Sequence, residues 1–331
     1  MNPVPHWWPA LPEVAAALAG CAPAAVSELL RIGDVCLRGE QARGKTSSLN
    51  NDGTPVQIAV GAGGRFVRLL MDPAHQEPDP VRRCEQALQA ARRLLEPSSQ
   101  PELSSAFEAG LREALPGADA MRKWLNRGAV WLAADLAGRR AGAYVSARWG
   151  APAERWDRVL AWLDKRHRPA SRSLARVVSV AEPASVGLEA ASANGLRLKV
   201  YLRLSRPQRL GGLGLPDLDH PALEDFLRCV VRDRSIGLSG LVISLSAALQ
   251  AGPMSSKIDV CAHCLRYSNS EWVEILAELA GGFARPDPAV VASLTAGQAE
   301  MAFIGFSPSP DGSHRLNFYL KAPSRAPAGR R

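Results

Sequence analysis

Tyr144, Tyr201, Cys261 and Tyr319 recur at separations of 57, 60 and 58 residues, each at the same point of a strand-like run, and this internal repeat constrains the fold more than any other feature. Each run is the second member of a turn-linked pair with a side-chain period of two. The pairs are VQIAV with RFVRLLM (56–60, 65–71), AVWLAADL with AGAYVSA (129–136, 141–147), VGLEAA with LRLKVYLRL (186–191, 196–204), LSGLVISLSAA with KIDVCAH (238–248, 257–263) and EMAFIGFS with RLNFYLKA (300–307, 315–322). Between them lie helical patterns such as DPVRRCEQALQAARRLLE, APAERWDRVLAWLDKR, HPALEDFLRCVVRDR and NSEWVEILAELAGG, several opening on an Asp, Asn or Pro start signal. A longer helical stretch, 78–126, separates the first pair from the second.

Ten antiparallel strands joined through helical excursions lose their exposed edges by closing into a barrel, with the helices on the outside. The expected class is therefore α+β: a ten-stranded antiparallel β-barrel of repeated αββα units with a solvent-filled lumen and an outer ring of helices. Residues 1–323 are expected to form a single domain and 324–331 (SRAPAGRR) a disordered basic tail. Alternation puts Arg197, Lys199, Tyr201 and Arg203 on one face of their strand and Leu196, Leu198, Val200, Leu202 and Leu204 on the other. The apolar face must pack on helices, so the polar face looks inward. A small barrel ordinarily fills its middle with aliphatic side chains, and a basic, phenolic interior implies a wet chamber for a charged ligand.

The corresponding inward positions read Arg140, Gly142, Tyr144; Arg197, Lys199, Tyr201; Lys257, Asp259, Cys261; and Arg315, Asn317, Tyr319. Four strands begin on a cation and three carry a tyrosine four residues later. Fixed Arg and Lys donors suit the charge that develops on a departing diphosphate. Aromatic faces suit a carbocation, which they stabilise without attacking and shelter from water. Arg and Tyr are also what a half-exposed sheet displays, and it is the repeat that favours the lumen.

The chain resembles the ABBA aromatic prenyltransferases of the dimethylallyltryptophan synthase type in pieces spread over nearly its whole length: SSLNNDGTPVQ (47–57), VRLLMDPA (67–74), DLAGRRAGAYV (135–145), NGLRLKVYL (194–202) and FIGFSP with RLNFYLKAP. The resemblance implies transfer of a dimethylallyl or longer prenyl group from an allylic diphosphate to an electron-rich aromatic acceptor: an indole, a phenol or an aromatic residue of a peptide. It implies that Arg68, Arg197 and Lys199, with Lys257 and Arg315 as weaker candidates, hold diphosphate oxygens. Tyr144, Tyr201 and Tyr319 would shield the allyl cation, and Gln57 would orient the acceptor. No cofactor is implied, and the cationic side chains stand in for magnesium. Three positions depart from the family pattern: Gln57 replaces a carboxylate that binds the acceptor N–H, Gly142 replaces a Lys, and Cys261 interrupts the tyrosine series. An amide cannot serve as the base that removes the ring proton. Glu189 is one candidate for that role, with its facing left open.

With 47% hydrophobic and 22% charged residues the composition is that of an ordinary globular protein. The formal charge of +8 asks for an anionic partner without naming it. The two other readings it leaves are a ligand-carrying barrel without turnover, suggested by the three departures, and a basic nucleic-acid binder. The favoured partners are the allylic diphosphate and the aromatic acceptor, with no nucleic acid and no membrane, in a monomer or homodimer. No apolar run reaches the ~18 residues of a membrane span and the first residues lack a signal-peptide pattern, so a cytoplasmic location is expected. GEQARGKT (39–46) fits a P-loop pattern, but the run before it is helical and TSSLNNDGTP cannot open a helix. Cys261-Ala-His-Cys264 has the spacing of half a zinc site. With no second pair nearby it reads as a strand end with two free thiols, and no metal site is expected. The histidines show no metal spacing, although His314, beside Arg315, could reach the lumen.

Overall fold

The computed structural model describes Trp8 and residues 10–35, 47–64, 66–95, 101–136, 140–191, 195–249, 253–308 and 314–323. The motif at 39–46 and the tail at 324–331 lie outside the described residues.

Ten strands follow the chain: β1 (Val56–Gly61), β2 (Val67–Met71), β3 (Val130–Asp135), β4 (Arg140–Ser146), β5 (Ala181–Ala191), β6 (Gly195–Leu204), β7 (Leu241–Ala248), β8 (Ser255–Cys261), β9 (Glu300–Pro308) and β10 (His314–Lys321). Each pairs antiparallel with its neighbours, and β1 closes the barrel on β10, with Ile58 opposite Leu320 and Gly61 opposite Asn317. The expected ten-stranded closed barrel is what forms. The strand starts that differ most from the sequence expectation are those of β5 and β7. β5 begins at Ala181 rather than 186, because a register shift between Pro183 and Ser185 admits a proline that a regular ladder would reject. β7 begins at Leu241, because Leu238–Gly240 form a 3-10 turn.

Eleven helices lie among the described residues: α1 (Leu11–Ala19), α2 (Pro23–Ile32), α3 (Pro80–Leu95), α4 (Pro101–Ala114), α5 (Ala118–Trp124), α6 (Pro152–Asp164), α7 (Arg168–Ala175), α8 (Pro221–Val231), α9 (Ala262–Leu265), α10 (Asn269–Gly282) and α11 (Pro288–Thr295). Proline opens several of them, at the one helical position where its missing N–H costs nothing. Ser268 and Glu271 cap α10 reciprocally, and Asp287 accepts from Ala289 N at 2.8 Å at the head of α11. None of these helices is long and apolar enough to cross a membrane.

The core lies between barrel and helices. On β6 the leucine face is buried throughout, while Arg197, Lys199, Tyr201 and Arg203 on the other face keep partial exposure to the lumen. α3 packs its Cys84, Ala87, Leu88 and Ala91 face on β3 and β4, and α4 and α6 cover β5. Phe306, on the outer face of β9, stacks on Phe226 of α8 at 4.9 Å. A buried ion pair, Arg83 to Asp72 at 2.6 Å, ties α3 to the end of β2. Ser47 donates to the same carboxylate at 2.6 Å, which fixes the approach to β1. Burial pushes the Asp72 carboxyl up to about 6 against the opposing pull of Arg83 and Ser47. Gly128 passes over this pair at φ 105°, where a Cβ would stand 2.8 Å from Asp72 Oδ2, so a side chain fits neither the backbone nor the space.

Candidate functional site

Alternation along the strands brings cations and phenols from five strands into one chamber. Arg68 of β2, Tyr144 of β4 and Lys199 of β6 converge on a single carboxylate, Glu189 of β5. Arg68 Nη1 donates to Glu189 Oε1 at 2.8 Å, Tyr144 OH donates to it at 2.6 Å and Lys199 Nζ lies 3.0 Å away. Burial alone would disfavour the charged form of Glu189, but Lys199, Arg68 and the Tyr144 hydroxyl outweigh it and hold the carboxyl well below its ordinary range. Burial also pushes the Lys199 ammonium below the usual lysine value, an effect that Glu189 only partly offsets. Arg197, one turn of the pleat away on β6, donates to Ser246 Oγ at 3.1 Å.

Gly142 explains how a carboxylate reaches this place. A Cβ at Gly142 would lie 3.0 Å from Glu189 Cγ and 3.2 Å from the Tyr144 hydroxyl, so the missing side chain is the room that Glu189 occupies. A similar relation holds across β8 and β9. Lys257 Nζ lies 2.5 Å from Asp259 Oδ1 and donates to the Tyr319 hydroxyl, with the ammonium 4.5 Å from the Tyr319 ring centre. A Cβ at Gly305 would come within 2.3 Å of Asp259 Oδ1 and 2.4 Å of Lys257 Cε, so only glycine lets this pair lie flat against β9.

The aromatic wall is continuous with the cation cluster. Tyr144 and Tyr201 meet edge to face at 5.6 Å, and Phe303 and Tyr319 at 6.1 Å. Both pairs face a cavity of about 330 Å³ whose lining includes Gln57, Trp131, Arg203 and Asp259, with Trp124 at its rim. Gln57 is 3% exposed, and its Nε2 donates to Asn50 Oδ1 at 2.5 Å. Asn50 is in turn fixed by donating to Thr54 O and Val56 O, both at 2.9 Å. The one carboxylate among the described lining residues is Asp259.

Of the residues singled out in the sequence, Arg68, Lys199, Lys257, Tyr144, Tyr201 and Tyr319 meet inside the barrel, Arg197 sits beside them and Gln57 lines the cavity. Arg315 is exposed at the start of β10 and makes none of these contacts. The side chain of Arg140 lies outside the described residues. His314 turns away from the lumen and packs against His220 at 5.2 Å and Phe306 at 5.3 Å, on the helix side of the sheet. Sequence reasoning left Glu189 undecided, because residues 186–190 (VGLEA) are buried on both faces and so carry no alternation to read. It gave Asp259 no role, read Trp124 as helix packing rather than acceptor stacking, and passed over Asn50 and Phe303. The cation beside Asp259 was the one signal that could have drawn attention to it.

No family model matches the sequence, and no curated protein matches it. The fold, in contrast, is shared with solved structures. 5-Dimethylallyl tryptophan synthase from Streptomyces coelicolor, solved in complex with DMASPP and Trp, is 18% identical with a TM-score of 0.75, covering 96% of this chain and 95% of that one. 6-Dimethylallyltryptophan synthase from Micromonospora olivasterospora, also solved with DMASPP and Trp, is 15% identical with a TM-score of 0.74, covering 96% and 98%. The prenyltransferase PriB is 16% identical with a TM-score of 0.74, covering 94% of both chains. The chain therefore has the ABBA prenyltransferase fold over nearly its full length.

Proposed function

We propose that this barrel transfers an allylic group, dimethylallyl or longer, from its diphosphate to an electron-rich aromatic acceptor. The observation that carries the reading is the convergence of Arg68 and Lys199 on one anionic point that the Tyr144 hydroxyl also contacts, with the Tyr144 ring edge to face with Tyr201. The fold neighbours solved with DMASPP and Trp hold such a pair of ligands, and a lumen of this chemistry supports a similar pair here.

In this reading Glu189 marks the anionic place among these cations. The diphosphate takes over Arg68 and Lys199, with Arg197 alongside, and Tyr144 keeps its hydrogen bond to Glu189. The allylic C–O bond then breaks heterolytically and pyrophosphate leaves with the electron pair, its growing charge met by the cations. These donors are cationic and not carboxylate, so they supply by themselves the charge compensation a magnesium ion would otherwise give. Tyr144, Tyr201 and Tyr319 shelter the allyl cation. A ring carbon of the acceptor forms the new C–C bond with its π pair, and the proton lost as aromaticity returns passes to Asp259. The Gln57 amide nitrogen is held by Asn50, and its carbonyl oxygen is the group offered to an acceptor N–H or O–H. Trp124 and Trp131, at the rim and wall, fit a flat aromatic acceptor or an aromatic residue of a peptide.

Incubation of the purified protein with isotope-labelled dimethylallyl diphosphate and a panel of indoles, phenols and aromatic peptides tests this. Mass spectrometry should find the label joined to carbon of one acceptor class. Ligand protection without any prenylated product across the panel would instead identify a carrier.

A further inference from the structure

We infer that Cys261, His263 and Cys264 form a binding site for a soft divalent ion of the zinc class where β8 ends and α9 begins. The proposal is independent of the prenyl-transfer reading. One ligand atom from each of the three residues lies within 4.8 Å of the others. Cys261 Sγ is 2.6 Å from His263 Nδ1, and Cys264 Sγ is 3.5 Å from Nε2 of the same ring. Two sulfurs and an imidazole converge because the chain changes here from strand to a single helical turn. That change swings Cys264 back beside Cys261, and the turn is closed by Arg266 at φ 56°. The C-x-x-C spacing that the sequence offered as half a site thus acquires its third ligand from within the same turn.

The chemistry of the set selects the ion. Thiolate and imidazole are soft and borderline donors that suit zinc and disfavour magnesium or calcium. On binding, the two thiols release their protons to solvent and the imidazole binds neutral through one nitrogen. Two thiolates and a divalent cation sum to zero, so the filled site adds no net charge beside the Lys257–Asp259 pair on the same strand. Entry is open: Cys261 is buried, but His263 is exposed and Cys264 partly so. Three protein ligands leave a fourth position for water or a donor atom of a bound molecule, the pattern of an open site rather than a closed structural one. Asp259, two residues before Cys261, lines the lumen cavity. The ion would therefore pin the end of the strand that presents Lys257 and Asp259.

Cobalt(II) reads this without reference to activity. Reduced, chelator-treated full-length protein titrated with Co(II) should bind one ion per chain, with thiolate-to-cobalt charge-transfer absorption and the visible bands of four-coordination, and Zn(II) should abolish both. His263→Asn should weaken binding at least tenfold, Cys264→Ser should halve the charge-transfer intensity or remove it, and Cys21→Ser should change nothing. Because Cys261 is buried, its role is read in the unmodified chain: Zn(II) should protect two thiols from a thiol reagent, and peptide mapping should locate them at Cys261 and Cys264. Absence of the charge-transfer band in the unmodified protein would overturn the proposal. So would its persistence in the His263→Asn, Cys264→Ser double variant, or a Cys261–Cys264 disulfide in the protein as isolated.

Discussion

Arg68 on β2 and Glu189 on β5 meet inside the barrel at 2.8 Å, although 121 residues separate them in the chain. Lys199 shares the same oxygen, and under the proposed function the two cations await a diphosphate with a tethered carboxylate in its place. Glu189→Gln keeps an acceptor for Tyr144 but removes the charge. The variant should bind inorganic pyrophosphate about tenfold more tightly by calorimetry, because a like charge no longer opposes the ligand. It should also unfold about 3 kcal/mol more easily in denaturant, because two buried cations lose their counter-charge.

The depressed Glu189 carboxyl makes stability pH-dependent in a defined direction. A group whose native pKa lies below its unfolded value contributes fully above the unfolded value and loses that contribution as pH falls. Acid titration of unfolding should show the wild type losing stability below pH 4.5, the ordinary carboxyl value, with a shallower loss in Glu189→Gln. At the alkaline end, pyrophosphate binding should weaken as pH rises through a value below 10.5, because burial depresses the Lys199 ammonium.

Arg68 and Arg315 are both arginines on strands flanking the β1 seam, yet one is partly buried against Glu189 and the other is exposed. Arg68→Ala should lower kcat/KM for the allylic diphosphate by about 10² to 10³, the usual loss on removing one donor from a developing oxyanion. Arg315→Ala should stay within about twofold of wild type, as an exposed charge distant from the bound groups would.

Gln57→Glu supplies the carboxylate that the family resemblance implies at this position. The new oxygen faces Asn50 Oδ1 where Gln57 now donates, so folding stability should drop by about 1–3 kcal/mol. Turnover of acceptors with an indole N–H should rise relative to phenols, read as the ratio of kcat/KM values in a competition assay.

Asp259 lines the cavity and is paired to Lys257 at 2.5 Å. Asp259→Asn should lower kcat by about 10² to 10⁴ with little change in KM for the diphosphate, the signature of a lost proton acceptor rather than a lost binding contact. An unchanged kcat would remove Asp259 from the reaction.

The barrel was legible because its signal is strong and local. The leucine face of 196–204 alternates without exception, and ten short strand-like runs in turn-linked pairs leave few closures available. The site was legible only where side chains of opposite character alternate. Arg197, Lys199 and Tyr201 stand out against leucines, whereas Glu189 is embedded in glycine and alanine and could not be assigned a face. Arg315 follows the repeat as well as Arg197 does but falls at the strand's exposed beginning, and a one-dimensional repeat does not encode depth along the barrel axis. Cys261 read as a flaw in the tyrosine series, and only the turn that follows it shows what stands beside it.

Ile58 lies opposite Leu320, and Lys321 Nζ reaches Asp52 at 2.5 Å. A nascent polypeptide therefore has nine of these strands made and a slot beside β1 unfilled until residues 314–321 emerge. For that whole interval it carries two open edges able to pair with a stranger. Loss of β10 should yield not a smaller barrel but an aggregating chain, and chaperone demand during synthesis should track the time that slot stays empty.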